Sequence, residues 1–157
     1  MVKINIVAVG KVKEKYFQNG IDEYVKRLSR YAKVTINEVK EKNITNEPNQ
    51  SEIQEILKRE GDEIKKELKG YVVAMAIEGK KLSSEGLATF IEKAKNLRGE
   101  ITFVIGGSYG IDESIKKAAD ERISVSDMTF PHTLLRLMLT EQIYRAFTIL
   151  EDGKYHK

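Results

Sequence analysis

The sequence contains no cysteine among its 157 residues. This absence excludes disulfides, thiolate catalysis and cysteine-held zinc or iron–sulfur sites, and it is compatible with a reducing compartment. The opening stretch MVKINIVAVGKVKEKYF also lacks a long hydrophobic run, since its short apolar segment is followed by dense charge. The pattern predicts neither a signal peptide nor a membrane span, and we therefore expect a cytoplasmic protein without membrane contact.

Several motifs of nucleotide and metal chemistry are absent too. The phosphate-binding pattern GxxxxGK[ST] does not occur, and the glycine-rich stretch IGGSYG has GGxxG where a dinucleotide fingerprint needs GxGxxG. The two histidines, His132 and His156, have no acid nearby at ligand spacing, and no Ser–His–acid arrangement is visible. The sequence therefore predicts no metal site and no hydrolase.

The composition is that of a soluble globular protein, with 41% hydrophobic and 32% charged residues. The length predicts one domain over residues 1–157. Charge is uneven, since residues 1–33 hold eight lysines and arginines against three acids, a net +5 that leaves −2 for the rest. This basic segment is typical of a phosphate-facing surface for RNA, or of a solvated helix face.

Hydrophobic periodicity predicts five repeats of a strand followed by a helix. The strands are 3–10, 33–39, 71–77, 101–105 and 122–126, and the helices are 13–28, 49–68, 83–97, 112–121 and 133–150. Asn49 with Glu52 predicts a capping box, and Ser83 or Ser84 predicts a cap for the third helix. This order favours an α/β fold with a mainly parallel sheet and helices on both faces.

Ligands of parallel sheets bind beyond the carboxyl ends of the strands. Three loops qualify here, after strands 71–77, 101–105 and 122–126. In the second loop Gly106, Gly107 and Gly110 allow close approach of the backbone, which favours a ligand-facing loop over a plain tight turn. In the third loop Pro131 leaves the preceding backbone groups available to a ligand.

The last helix, 133–150, is apolar almost all round. One face of a sheet cannot cover such a helix, and a second copy of the chain is the simplest cover. The alternative is a central core helix of a monomer.

Four stretches closely resemble one family: INIVAVGKVKEKYF, FVIGGSYG, SDMTFPHTLLRLMLTEQIYRAF and the closing YHK. They resemble the ribosomal RNA large-subunit methyltransferase H family of the SPOUT class, in the same order and from end to end. The resemblance implies a homodimeric enzyme that uses S-adenosylmethionine to methylate N3 of pseudouridine 1915 in 23S ribosomal RNA of assembled ribosomes. It also implies a deep trefoil knot near the C-terminus, which periodicity does not predict.

The resemblance also implies site residues. The cofactor contacts fall at Met75, Ala76, Gly107, Ser126, Asp127, Met128, Thr129, Phe130 and Pro131. Asp127 is the member of this set that can instead face solvent. His132, Tyr155 and His156 are candidates for the general base or for positioning uracil, the last two in a tail expected over the active site of one or the other subunit. Without the resemblance that tail would be interpreted as a frayed end.

RNA contacts are expected at the basic residues. Arg136 and Lys157 are candidates for phosphate contacts, and Lys11 and Lys13, with Lys15, Arg27 and Arg30, are candidates on the dimer surface. Two other functions stay open: a non-catalytic ribosome-associated RNA-binding protein, and a nucleotide-cofactor oxidoreductase, which the broken glycine fingerprint disfavours.

Overall fold

The computed structural model describes residues 1–42, 46–151 and 153–156. Within them, five strands alternate with five helices, as the periodicity predicts. The elements are β1 (Val2–Val9), α1 (Lys15–Leu28), β2 (Ala32–Val39), α2 (Gln50–Lys65), β3 (Tyr71–Lys81), α3 (Ser84–Arg98), β4 (Glu100–Ile105), α4 (Glu113–Ala118), β5 (Glu121–Ser124) and α5 (His132–Leu150).

The five strands form one sheet in the order β2-β1-β4-β3-β5. Every pairing between them is parallel, for example Ile4 opposite Ile101 and Val73 opposite Phe103. The predicted α/β class with a parallel sheet is confirmed. Because the strands run in one direction, the loops after β3, β4 and β5 leave the same edge of three neighbouring strands.

Helices cover both faces of the sheet, as predicted. On one face, α1, α3 and α5 pack over Ile4, Ile6 and other alternate strand residues. On the other face, α2 and α4 pack over Val7 and Val9. The alternation within β1 follows from the pleat, which points successive side chains to opposite faces.

Local helix signals are confirmed at two starts. The Asn49 side chain accepts a hydrogen bond from the Glu52 amide at 2.9 Å, and the Glu52 carboxylate accepts one from the Asn49 amide at 3.3 Å. The Ser83 hydroxyl likewise caps α3 by accepting from the Gly86 amide at 2.9 Å. Helix ends were predicted less well. Helix α2 ends at Lys65 and not at 68, and α4 ends at Ala118 and not at 121.

Strand β3 differs most from its prediction, since it continues past residue 77 to Lys81. Strand β3 pairs with β5 up to Met75, and the pairing resumes at Lys80. Met75 and Lys80 both lie opposite Ile123, so the register shifts between them. Residues 76–79 therefore bulge from the β3–β5 ladder. At Gly79 a side chain would lie 2.7 Å from the Ile123 backbone nitrogen, so the returning strand needs glycine there.

Helix α5 lies between α1 and α3 and buries Leu139, Ile143 and Phe147 in the core. None of its residues is fully exposed, which shows that neighbouring helices of the same chain cover much of the apolar surface noted in the sequence. Residues 125–131 lead from β5 at one side of the sheet to His132, which lies beside Gly10 at the end of β1. The trefoil knot implied by the resemblance stays a prediction.

Candidate active site

A cleft of about 760 Å³ opens at the carboxyl ends of β3, β4 and β5; we call it the strand-end cleft. Its walls are the bulge after Met75, the glycine-rich loop after β4, and the segment between β5 and α5. Eight of the nine residues predicted to contact a cofactor line it: Met75, Ala76, Gly107, Ser126, Met128, Thr129, Phe130 and Pro131. Three loops far apart in sequence thus contribute to one concave site, of the size typical for small-molecule ligands.

Asp127 is the exception. Its side chain is 80% exposed and pairs with Lys81 at 2.6 Å, outside the lining of the strand-end cleft. The flanking Ser126 hydroxyl accepts from the Met128 amide at 3.0 Å, and this tight turn directs Asp127 outward. The exposed side chain agrees with the solvent-facing alternative, and a cofactor contact by Asp127 stays a prediction.

The glycine-rich loop is both a tight turn and a wall of the cleft. The Gly110 amide donates to the Gly107 carbonyl at 3.1 Å, and Gly110 has a φ of +89°, a conformation that favours glycine. At Gly106 a Cβ atom would overlap the carbonyl of Gly110. The two interpretations of IGGSYG are therefore compatible, since the turn closes tightly and its backbone faces the cleft.

Apolar side chains that the sequence reasoning missed form much of the remaining wall. They include Ile105, Ile111, Ile123, Val125 and Leu135. Ile105 was visible as the end of a buried strand, but nothing in the sequence places Leu135 of α5 beside it. Together they provide a surface suited to a flat, weakly polar ring.

An ion pair stands at the rim of the strand-end cleft. The Lys116 ammonium of α4 lies 2.7 Å from a carboxylate oxygen of Glu78, and both residues line the cleft. The hydrogen bond from Lys116 lowers the pKa of Glu78 below its ordinary value. Glu78 directly follows a predicted strand, and this position is a sequence signal for a site residue. The sequence gives no such signal for Lys116, which reaches the cleft because α4 packs beside β3.

His132, the first residue of α5, also lines the strand-end cleft. Its Nδ1 atom is buried and has no hydrogen-bond partner among the described residues. The ring approaches Gly10, where its Cε1 atom lies 3.6 Å from the position that a Cβ would take. A buried ring nitrogen left without a partner is chemically available to a bound ligand.

Arg136, one turn further along α5, is not available in this way. Only 2% of its side chain is exposed, and its guanidinium donates to Glu38 at 2.6 Å and to the Gly10 carbonyl at 3.0 Å. The structure therefore contradicts the expected phosphate contact at Arg136, because an RNA backbone cannot reach a buried side chain. Charge in a sequence does not reveal burial, and the apolar neighbours of Arg136 in α5 were the only hint.

The C-terminal tail folds back on the helices instead of fraying. The Tyr155 ring packs edge-on against Tyr144 with centroids 4.8 Å apart, and its hydroxyl lies 3.2 Å from that of Tyr24. His156 is held between Arg145, at 3.0 Å, and Glu85, at 2.7 Å.

The position of the tail affects both of its candidate residues. Burial, followed by the hydrogen bond with Tyr24, raises the pKa of Tyr155 to about 12, so its phenol is protonated at neutral pH. Neither Tyr155 nor His156 lines the strand-end cleft that contains His132. A single chain therefore does not bring the three candidate catalytic residues together.

A second cleft of about 610 Å³ lies among α1, α3 and α5; we call it the helix cleft. Its apolar lining includes Leu82, Leu87, Leu137 and Met138. It shares Met75, Ile123, Ser124 and Val125 with the strand-end cleft, so the two are neighbours. The tail lies at its margin, since Tyr24 both lines the helix cleft and contacts Tyr155.

The basic N-terminal segment is a solvated surface. All eight of its lysines and arginines are exposed: Lys3, Lys11, Lys13, Lys15, Lys26, Arg27, Arg30 and Lys33. Lys11 and Lys13 follow β1 at the carboxyl edge of the sheet, where Gly10 adjoins His132. Lys157, the other predicted phosphate contact, lies outside the described residues.

The described residues form neither a metal centre nor a membrane span. No group of three or more histidines, aspartates or glutamates within them could hold a metal ion. None of their helices is long and apolar enough to cross a membrane.

The structure defines an α/β fold with a ligand-sized cleft at the carboxyl ends of its strands, and comparison with known proteins identifies the class of protein. The family model described as "Predicted SPOUT methyltransferase" matches residues 2–156. The chain therefore belongs to the SPOUT methyltransferase family, as the resemblance indicated, and it is an enzyme of methyl transfer.

Relatives match over nearly the whole chain. Proteins named ribosomal RNA large subunit methyltransferase H from Carboxydothermus hydrogenoformans, Limosilactobacillus reuteri and Listeria monocytogenes are 45%, 48% and 46% identical, over 99% of this chain and 100% of theirs. A solved structure of a probable methylase family protein from Haemophilus influenzae has a TM-score of 0.50 at 10% identity, covering 97% of this chain and 67% of that one. The solved structure supports the fold alone.

Proposed function

We propose that this enzyme uses S-adenosylmethionine to methylate N3 of a pseudouridine in large-subunit ribosomal RNA, with the assembled ribosome as substrate. The observation that carries the proposal is the convergence of eight resemblance-implied cofactor residues, from three separate loops, on the strand-end cleft. The full-length likeness to proteins named ribosomal RNA large subunit methyltransferase H supports the choice of RNA.

The strand-end cleft fits this cofactor. Its aliphatic wall suits the apolar faces of adenine, and the bulge at residues 76–79 frees backbone groups from the β3–β5 ladder for the polar edge of the ring and the ribose. The hydroxyls of Ser124 and Ser126 hold the third wall in a fixed turn. When bound, S-adenosylmethionine supplies a methyl group activated by a sulfonium sulfur.

The residues of the protein must align the acceptor nitrogen and remove its proton. His132 is suited to the second task, since it lines the cleft and its buried Nδ1 has no partner among the described residues. The raised pKa of Tyr155 suits that phenol to donating a hydrogen bond and not to acting as a base. We therefore assign proton removal to His132 and positioning of the uracil ring to the tail.

The proposal includes a homodimer. The helix cleft is a largely apolar groove among α1, α3 and α5, and a second copy would cover it. The tail lies at the margin of this groove, so pairing of two copies would carry Tyr155 and His156 of each chain toward the other. Sedimentation of Met138→Glu should show a monomer, whereas an unchanged dimer would contradict this interface.

Ribosomal RNA is expected to contact the exposed lysines beside the strand-end cleft. Lys11 and Lys13 lie at the cleft's edge of the sheet, and affinity for free RNA should be weak and steeply dependent on salt. Replacing both by glutamine should raise the KM for ribosomes and leave cofactor affinity unchanged. Lys58→Gln, an exposed lysine of α2, is the control.

The deciding experiment incubates the protein with radiolabelled S-adenosylmethionine and ribosomes from a strain that lacks the modification. We expect label in the large-subunit RNA, at one pseudouridine, with assembled ribosomes labelled far better than naked RNA. Absence of label in the large-subunit RNA would refute the proposed substrate. Calorimetry that detected no binding of S-adenosylmethionine would refute the proposed methyl donor.

A further inference from the structure

The ion pair between Glu78 and Lys116 at the rim of the strand-end cleft takes no part in the proton removal or uracil positioning proposed above. Glu78 belongs to the bulge of β3, and Lys116 belongs to α4 on the other side of the rim. Their charged atoms are 2.7 Å apart, with 19% of the Lys116 side chain and 45% of the Glu78 side chain exposed. Both side chains are therefore partly buried but still accessible to a ligand in the cleft.

These two residues hold all the permanent charge of the cleft lining. Among the described residues that line it, Glu78 is the only acid and Lys116 the only lysine or arginine. Apart from His132, every other side chain that lines the cleft is uncharged. A ligand that carries both a positive and a negative group would therefore find complementary charge only at this rim.

We propose that Glu78 and Lys116 bind the amino-acid end of the methyl donor, with Lys116 holding its α-carboxylate and Glu78 its α-ammonium group. The inference rests on the proposed function, because it specifies how the strand-end cleft would recognise that donor. The pair would exchange its internal contact for two contacts of the same kind with a zwitterion, so no charge is left unpaired.

The surroundings of Glu78 support this exchange. Lys116 lowers the pKa of Glu78, which keeps the carboxylate ionised at neutral pH. Arg122 lies 3.9 Å from the same carboxylate oxygen and is itself 3.6 Å from Glu113, outside the cleft lining. Arg122 therefore holds Glu78 in place when Lys116 turns to a ligand.

The test compares two ligands that differ at the amino-acid end. S-adenosylhomocysteine has that end, and methylthioadenosine lacks it. By calorimetry, Lys116→Met and Glu78→Gln should each raise the Kd for S-adenosylhomocysteine about tenfold and leave the Kd for methylthioadenosine unchanged. Lys117→Met, an exposed neighbour on the same helix, should change neither value.

The possible results separate the two proposals. Equal weakening of both ligands, or no weakening of either, would overturn the role of the pair while leaving the cofactor site intact. If the unaltered protein bound neither ligand nor S-adenosylmethionine, the proposed function itself would fail. Circular dichroism of each variant checks that the fold is unchanged.

Discussion

The buried guanidinium of Arg136 and the carboxylate of Glu38 form an ion pair 2.6 Å long that joins the first turns of α5 to the end of β2. The same guanidinium holds the carbonyl of Gly10, beside which His132 lies. The contact therefore fixes the N-terminus of α5, and with it one wall of the strand-end cleft. The two partners are unequally buried, since Glu38 is 37% exposed and Arg136 only 2%.

This inequality predicts an asymmetric effect on stability. Glu38→Gln leaves a buried cation poorly paired and should lower the free energy of unfolding by about 3 kcal/mol. Arg136→Met leaves a carboxylate that water can reach, and should cost about 1 to 2 kcal/mol. Urea unfolding measures both. Arg59→Met, which breaks an exposed pair with Glu55, is the control and should cost under about 0.5 kcal/mol; equal costs for all three would contradict the argument.

Gly106→Ala should disrupt the strand-end cleft. The new methyl group would overlap the Gly110 carbonyl, so the turn must open, and we expect the Kd for S-adenosylmethionine to rise more than about tenfold. Gly99→Ala provides the control, because Gly99 has a φ of +70° but no atom within 4 Å of the added group. It should cost about 1 kcal/mol of stability through backbone strain alone. Normal cofactor binding by Gly106→Ala would show that the loop does not shape the site.

Glu60 predicts a pH dependence of stability. It is 5% exposed, and burial together with the nearby Glu41 carboxylate raises its pKa from 4.5 to about 7. Between these two values the folded protein retains a proton that the unfolded chain releases. The protonated Glu60 carboxyl therefore stabilises the folded state fully below about pH 4.5. This contribution to the free energy of unfolding is lost as the pH rises to about 7.

The loss attributable to Glu60 should be on the order of 2 to 3 kcal/mol. Urea unfolding at pH 5 and pH 8 measures it, and Glu60→Gln should remove most of the difference. Glu63→Gln, an exposed position on the same helix, should retain it. The assignment fails if Glu60→Gln has the same pH dependence as the unaltered protein.

Deleting residues 154–157 should abolish methylation and leave the affinity for S-adenosylmethionine unchanged. The physical reason is that Tyr155 and His156 contact α1, α3 and α5 but do not line the strand-end cleft. Tyr155→Phe is a milder matched change, because it keeps the ring against Tyr144 and removes only the hydroxyl near Tyr24. Normal turnover by the truncated enzyme would refute a role for the tail.

Local chemistry determined much of this protein from sequence alone. Apolar patterns, either periodic or continuous, together with cap residues predicted the strands and helices, and the cap at Asn49 followed from side chains that bond to their own backbone. Strands in one direction must bring their following loops to one edge, so the location of the strand-end cleft was predictable as well. The family resemblance then indicated that S-adenosylmethionine is the ligand of this cleft.

Contacts between distant parts of the chain decided the rest. The sequence could not show that Arg136 is buried against Glu38, that Lys116 faces Glu78, or that the tail rests on Tyr24. The sequence around a charged or aromatic side chain is the same whether that side chain is exposed to water or packs against another helix or strand. Only packing of the helices on the sheet chooses between these environments, because burial and pairing depend on residues far away in the chain.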